Sequence, residues 1–282
     1  MTDNFKLLFA TDIHLNFVHE EGIKSFCRKI KAQEPSAIVI TGDIAEAPSL
    51  VDYLGFMDYN LEHRCPIFFV LGNHDYYNGS IENVRETMGR LFTYDETSKM
   101  ILEARLGWLN TSGVIPLTEK IALVGHDGWY DGQYANWFKS RVYLNDYLLI
   151  KELADSACPT KELRFAKINE LAKEAAEYIE EQLHEAFKKF DHVFVATHVP
   201  PFRENSTYDG KISDDDWMPH FSSRHMGDML LAVADKYQHK NITVLCGHSH
   251  GGADNQITPN IRCVTGRARY RHPAIDKIFE ID

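Results

Sequence analysis

Residues 67–75 read IFFVLGNHD. Pro66 and the β-branched and aromatic residues behind it spell a short buried strand. The run stops at a glycine that hands over to Asn73, His74 and Asp75 in succession. A polar triplet there has an ordinary use, because Asn and Asp bond their own backbone and tolerate left-handed conformations in turns. Whether it is a turn or a site depends on whether the same ending recurs along the chain.

It recurs four times. FKLLFA at 5–10 is followed by TDIH, AIVI at 37–40 by TGD, HVFVA at 192–196 by THV, and ITVL at 242–245 by CGHSH. IALV at 121–124 is a further apolar run, and IRCVTG at 261–266 and AIDKIFEI at 274–281 add late strands. Helical stretches at about 20–34 and 49–61 separate the first three runs, which is the alternation of βαβ units in an α/β fold; the late strands make the sheet system mixed. A long amphipathic helix is expected from about 160 to 190, with Ile168, Leu171, Ala175, Ile179, Leu183 and Phe187 on its core stripe. No repeat or linker divides the chain, so residues 1–282 are expected to form one domain, with insertions or loops at about 126–190 and 203–224.

The 282 residues are enough to bury a substantial core. Thirty Lys and Arg against 41 Asp and Glu give a formal charge of -11, which speaks against bulk nucleic acid as a partner. The amino end has no basic, then long apolar, stretch, and no run approaches the ~18 apolar residues of a membrane span, so a cytoplasmic, non-membrane protein is expected. Cys27, Cys65, Cys158, Cys246 and Cys263 are odd in number and lack C-x-x-C spacing, as suits reduced thiols; Cys246, two residues before His248, reads as an inert strand residue.

Taken singly, Asp12 and Asp43 could cap helices, and a lone histidine such as His198 is more often structural than a ligand. G-H-S-H at 247–250 is a stronger signal: histidines at i and i+2 on extended chain point the same way, and the glycine permits close backbone approach. D-x-H at 12–14 repeats that geometry. In an α/β sheet, groups beyond the carboxyl ends of different strands converge on one crevice, so all five endings can meet there.

The ordered set D-x-H, G-D, G-N-H-D, a lone His and G-H-x-H, spanning residues 12 to 250, resembles the calcineurin-like metallophosphoesterase superfamily. The resemblance implies a four-layer α/β/β/α sandwich with two mixed β-sheets and a dinuclear metal centre at one end. It implies that Asp12, His14 and His250 hold one ion, that Asn73, His198 and His248 hold the other, and that Asp43 bridges them. It implies further that His74 is a catalytic histidine off the metals, with Asp75 as its orienting partner.

Charge supports this assignment. Two divalent ions bring four positive charges, Asp12 and Asp43 two negative ones and a bridging hydroxide a third, so the pocket stays positive for a phosphoester, and a neutral Asn73 helps keep it so. A hydroxide held between ions about 3.5–4 Å apart is placed for in-line attack on phosphorus. The nitrogen and oxygen donors suit manganese, iron or zinc without choosing among them.

The second motif, GDIAE, lacks the G-D-x-x-D-R-G of the protein Ser/Thr phosphatases, and Asp75 stands where those enzymes have Glu. THVPPF at 197–202 and VGHDGWYDG at 124–132 look like uncharacterised bacterial-type members. The expected function is therefore metal-dependent hydrolysis of a small phosphodiester or monoester such as a nucleotide. A metal-dependent nuclease is the alternative enzyme reading, and a non-catalytic interaction scaffold the alternative outside catalysis.

Secondary candidates are Arg267, Arg269 and Arg271, which alternate as on an edge strand and could meet a substrate phosphate or only solvent, and His126, His220 and His225 in the irregular segments 126–146 and 203–224; His19 and His272 are weaker still. Trp129, Tyr130 and Trp137 in the first segment, with Phe202, Tyr208 and Trp217 around the second, are suited either to closing over a ligand or to covering the sheet edge.

Overall fold

The structure is a computed structural model and describes residues 5–93 and 105–281. In chain order the strands are β1 (Phe5–Ala10), β2 (Ala37–Thr41), β3 (Ile67–Val70), β4 (Leu106–Trp108), β5 (Ile115–Pro116), β6 (Ile121–Gly125), β7 (His192–Ala196), β8 (Thr207–Tyr208), β9 (Lys211–Ile212), β10 (Asn241–Cys246), β11 (Gly251–Thr258), β12 (Ile261–Arg267) and β13 (Lys277–Ile281). The helices are α1 (Glu20–Lys31), α2 (Leu50–Asn60), α3 (Ile81–Phe92), α4 (Asp146–Leu149), α5 (Lys161–Ala186), α6 (Met218–Phe221) and α7 (Arg224–Lys236). Among the described residues, no helix is long and apolar enough to cross a membrane.

Two sheets result. One has the order β13-β1-β2-β3-β4, parallel except for antiparallel β13 at its edge. The other has the order β11-β12-β10-β7-β6-β5, parallel in its centre and closed on each side by an antiparallel strand. The period-two alternation of each strand then sorts its side chains into layers. Leu7, Phe9, Val39, Phe68 and Val70 of the first sheet meet Leu123, Phe194, Ala196, Leu245 and Val264 of the second in an inter-sheet core. The intervening residues Leu8, Ala10, Ile38, Ile40 and Phe69 face Ile23, Phe26 and Ile30 of α1, Leu54 of α2 and Met88 of α3. Val124, Val193, Val195 and Val244 face Ala175, Ile179 and Leu183 of α5 and Met226, Leu230 and Val233 of α7. The molecule is thus helices, sheet, sheet, helices, as expected.

Both stacked sheets run their central parallel strands to the same end of the molecule, where the loops after them meet. Asp12 N–H donates to the Gly42 carbonyl at 3.0 Å and His14 N–H to the Asp43 carbonyl at 2.9 Å, joining the loops after β1 and β2. Gly247 N–H donates to the His198 carbonyl at 2.9 Å, joining those after β10 and β7.

The irregular stretch after β6 ties the layers together. Buried Asp127 accepts from Leu71 N–H, Trp108 Nε1, Tyr76 O–H and Asn110 Nδ2 at 2.6–2.9 Å, while its own carbonyl accepts from His198 N–H at 2.9 Å. Trp129, Tyr130 and Trp137 are buried in the core beside α1–α3 and Phe202 in that beside α7, so these four pack the fold instead of lining a lid; Tyr208 and Trp217 are exposed. Packing wins there because a buried aromatic ring removes far more apolar area from water than a loop tip can.

Phe194 is fully buried between the sheets, against Phe279 at 5.2 Å. Phe194→Ala is expected to destabilise the protein by about 3–5 kcal/mol in chemical denaturation, whereas Leu231→Ser, at an exposed position of α7, should shift stability by less than about 0.5 kcal/mol.

Candidate metal centre

The strand ends bring the sequence-predicted donors into one pocket. Asp12, His14 and Asp43 are buried and His250 lies at the mouth, and one ligand atom from each falls within 4.8 Å of the others. Asp43 faces two ways. Its Oδ2 is 3.8 Å from His14 Nε2, and its Oδ1 is 3.4 Å from His198 Nε2. Asn73 Oδ1 stands 3.2 Å from the same His198 nitrogen, and the His248 ring is 4.9 Å from the His198 ring, centroid to centroid. A second donor group of Asn73, His198 and His248 thus shares Asp43 with the first.

This convergence needs unusual backbone. Asp12, His14, Asp43, His248 and His250 all have φ between 40° and 68°, a left-handed conformation that residues with a Cβ adopt reluctantly. Two glycines are equally constrained. A Cβ on Gly247 would stand 2.1 Å from Asp12 Oδ2, and one on Gly72 would stand 2.2 Å from Asp43 Oδ1. The glycines of G-N-H-D and G-H-S-H are therefore cradles for the two carboxylates of other loops.

The electrostatics are those of donors. Burial pushes His14 and His248 down to about 3 and lowers His198, so these imidazoles are neutral at neutral pH and keep a lone pair. Burial opposes ionisation of Asp12, yet the hydrogen bond and charge of His250, at 3.2 Å, bring its carboxyl below the ordinary range. Asp43 is pushed up by burial and then by Asp12 and Asp75. Two carboxylates in one dry pocket call for cationic charge between them.

Ring orientation also fits metal binding. His198 Nδ1 faces the Thr41 carbonyl at 2.7 Å and His248 Nε2 the His220 carbonyl at 2.9 Å. The nitrogen on the short contact to a backbone carbonyl carries the proton, which leaves Nδ1 of His248 and, among the proposed ligand oxygens of Asn73 and Asp43, Nε2 of His198 as the atoms to bind a metal. Both His14 ring nitrogens are buried without a hydrogen-bond partner, a cost of about 1–3 kcal/mol each, and a coordinated ion would offset it at one of them. The residues present fit a pair of divalent ions.

Three side chains the sequence did not reveal complete the centre. Asp146, buried at the start of α4, accepts from Asn73 Nδ2 at 2.9 Å, Tyr77 O–H at 2.7 Å and Tyr130 O–H at 2.8 Å, which turns the Asn73 amide oxygen into the pocket. Tyr77 also packs against the His74 ring at 4.3 Å. Tyr270, on the loop after β12, lies 4.5 Å from the His14 ring and 5.4 Å from the His250 ring. No motif spacing marks Asp146 or Tyr270, because each reaches the site from an irregular segment.

His74 sits at the mouth. Its N–H donates to Asp43 Oδ1 at 2.9 Å, its Nε2 is 3.9 Å from Asp43 Oδ2 and 3.5 Å from the Tyr270 hydroxyl, and its Nδ1 has no hydrogen-bond partner. Asp75 does not orient it. Both Asp75 oxygens are taken at 2.8 Å by the N–H groups of Ile44, Ala45 and Gly72, so this carboxyl staples the loop after β2 to the loop after β3. The charge of a buried carboxylate is best met by several backbone amides at once, and those amides lie away from the His74 ring.

Other candidates fall elsewhere. The His220 ring is held between Ser140 Oγ at 2.9 Å and the Tyr147 hydroxyl at 2.7 Å, and it is the His220 carbonyl that serves the site. His126 accepts from Gly128 N–H and packs on Tyr178, and His225, in the first turn of α7, joins Gln133 and Asn169. His19 and His272 are exposed. β12 is an interior strand that ends at Arg267, so Arg269 and Arg271 lie in the loop beyond it and do not alternate along an edge.

Comparison with known proteins agrees with this geometry. The chain is 34% identical over 80 residues to an uncharacterized metallophosphoesterase of Campylobacter jejuni, covering 27% of this chain and 21% of that one. It is 30% identical over 83 residues to a bovine transmembrane protein with a metallophosphoesterase domain, covering 29% and 19%. The matched region thus spans about a fifth of each curated relative. In fold it is similar to a dimetal phosphatase from Danio rerio (TM-score 0.57, 14% identity, 94% of this chain and 88% of that chain) and to the TT1561 protein of Thermus thermophilus (0.53, 11%, 94% and 89%). The calcineurin-like phosphoesterase family profile matches residues 5–252, a stretch that contains every proposed ligand, and the chain belongs to that family.

Proposed function

We propose that the protein hydrolyses a small phosphodiester or phosphomonoester in a pocket that holds two divalent ions. The observation that carries this reading is Asp43, which presents one oxygen to His14 and the other to His198 and so joins two donor groups below a single mouth. Asp12, His14 and His250 would hold one ion with it, and Asn73, His198 and His248 the other. Such ions supply Lewis acidity toward a phosphoryl oxygen and acidify water for attack at phosphorus.

The chain's own groups do the rest. Asp146 and Tyr77 hold the Asn73 amide, and the Thr41 and His220 carbonyls hold the His198 and His248 tautomers, so the donors need no rearrangement when an ester binds. His74, fixed through its backbone N–H to Asp43 Oδ1 and with Nε2 3.9 Å from Asp43 Oδ2, is the group to hold charge on the phosphoryl group or to pass a proton to the leaving oxygen. The -11 formal charge disfavours long nucleic acid and supports a small substrate. Five buried free cysteines suit a reducing compartment, in keeping with a cytoplasmic location.

Elemental analysis after reconstitution with manganese is expected to approach two ions per chain, and one or none would remove the dinuclear reading. Asp43→Asn should weaken both sites together, whereas His250→Ala should empty one first. Asp146→Ala, which leaves the Asn73 amide to Tyr77 alone, should lower affinity at one site by about 10–100-fold.

His74→Ala should reduce kcat by about 10²–10⁴-fold against a panel of phosphoesters while metal content stays near wild type. Loss of metal in that variant would make His74 a ligand, and unchanged turnover would exclude it from the reaction.

A further inference from the structure

Two aromatic side chains border the His14–His250 side of the pocket, and the roles assigned so far use neither ring. Phe17 ends the short turn that follows His14, and Tyr270 stands on the loop after β12. Their rings meet at 5.4 Å and 88°, and both contact His14, at 6.1 Å and 4.5 Å. They remain 41% and 45% exposed, unlike Trp129, Tyr130 and Trp137, which are buried. The pair therefore presents two partly exposed rings at right angles, directly beside the donors that would hold an ion.

We propose that Phe17 and Tyr270 form a leaving-group subsite that takes a planar aromatic group, as in a nucleobase-bearing phosphoester, in preference to an alkyl one. A flat ring laid on the Tyr270 face meets the Phe17 ring edge-on, the arrangement that aromatic groups favour. Such stacking tolerates any base, because every base has a π-face. Arg269 and Arg271 flank Tyr270 in the chain, are exposed and form no ion pair among the described residues, so the approach to this shelf is locally cationic in an acidic protein. This inference rests on the phosphoesterase reading for its chemistry, but the shelf itself is tested separately below.

The experiment compares adenosine 5′-monophosphate with ribose 5-phosphate, and the methyl diester of each, using manganese-loaded wild type, Tyr270→Phe, Tyr270→Ala and Phe17→Ala. The ratio of kcat/KM for base-bearing over base-free ester should fall about 5- to 100-fold in Tyr270→Ala, the range for one base stacked on one side chain, and should be retained in Tyr270→Phe. In parallel, saturation-transfer NMR should detect adenosine binding to wild type and Tyr270→Phe and its loss in Tyr270→Ala. Phe17→Ala carries the same comparison if Tyr270→Ala does not fold. An unchanged ratio with unchanged adenosine binding overturns the subsite. So does a Tyr270→Phe variant as impaired as Tyr270→Ala, since the hydroxyl near His74 would then be what matters. Tyr270-dependent adenosine binding without turnover of any ester would refute the hydrolase reading and leave the subsite standing.

Discussion

Asp12 and Asp43 are both buried at the meeting point of two apolar sheets, and the rest of the pocket answers to that constraint. Carboxylates in a dry site repel one another and prefer water, which is why burial, Asp12 and Asp75 together push Asp43 upward. The fold holds them with backbone amides: His248 N–H reaches both Asp12 oxygens at 3.1 Å, and His74 N–H reaches Asp43 at 2.9 Å. Close approach of that kind is possible only where the opposing chain has no side chain, hence Gly247 against Asp12 and Gly72 against Asp43. The imidazoles then enclose a volume already negative and already lined with lone pairs, which is a cation site before any cation arrives.

The same constraint explains the backbone of the site. Five of the seven proposed ligands sit in the left-handed region. At about 1–2 kcal/mol for each such residue, the strain is on the order of the whole net stability of a domain, although Asp bears it more easily than His. It is tolerated because the segments on either side are strands locked between layers. A strand that ends in a sharp left-handed step throws its next side chain sideways into the crevice, and three strands, β1, β2 and β10, do so at one end of the molecule, where the ends of β3 and β7 add Asn73 and His198.

This is why so much was legible in the sequence. The apolar runs that end at a glycine or threonine followed by Asp, Asn or His correspond to β1, β2, β3, β7 and β10, and the ligands follow each within a few residues. Their periodicity and their sharp ends are local properties that a sequence displays. The short strands β4 and β5 and the helices α3 and α7 carried no comparable signal, and β11 was hidden by GGADNQIT, whose polar residues belong to a half-exposed edge. Asp75 was misread for a related reason. Its neighbour His74 is adjacent in sequence, but its partners, the amides of Ile44 and Ala45, lie across a crossover that only the folded sheet brings near.

The two donor groups also differ in what supports them. Asp12, His14, Asp43 and His250 come from strand ends alone and draw their ligand atoms within 4.8 Å of one another. Asn73 and His248 depend on Asp146 and on the His220 carbonyl, which belong to the start of α4, after the irregular segment, and to α6. The His248 ring rests against Tyr130 of the irregular segment before α4, at 6.0 Å, and Phe221 of α6, at 4.5 Å. One half of the centre therefore rests on strand ends alone, and the other half rests also on segments whose buried rings, Tyr130 among them, pack into the core beside the first sheet. A change at Asp146 or in α6 would therefore reach the Asn73 and His248 side first, the side with supports outside the strand ends.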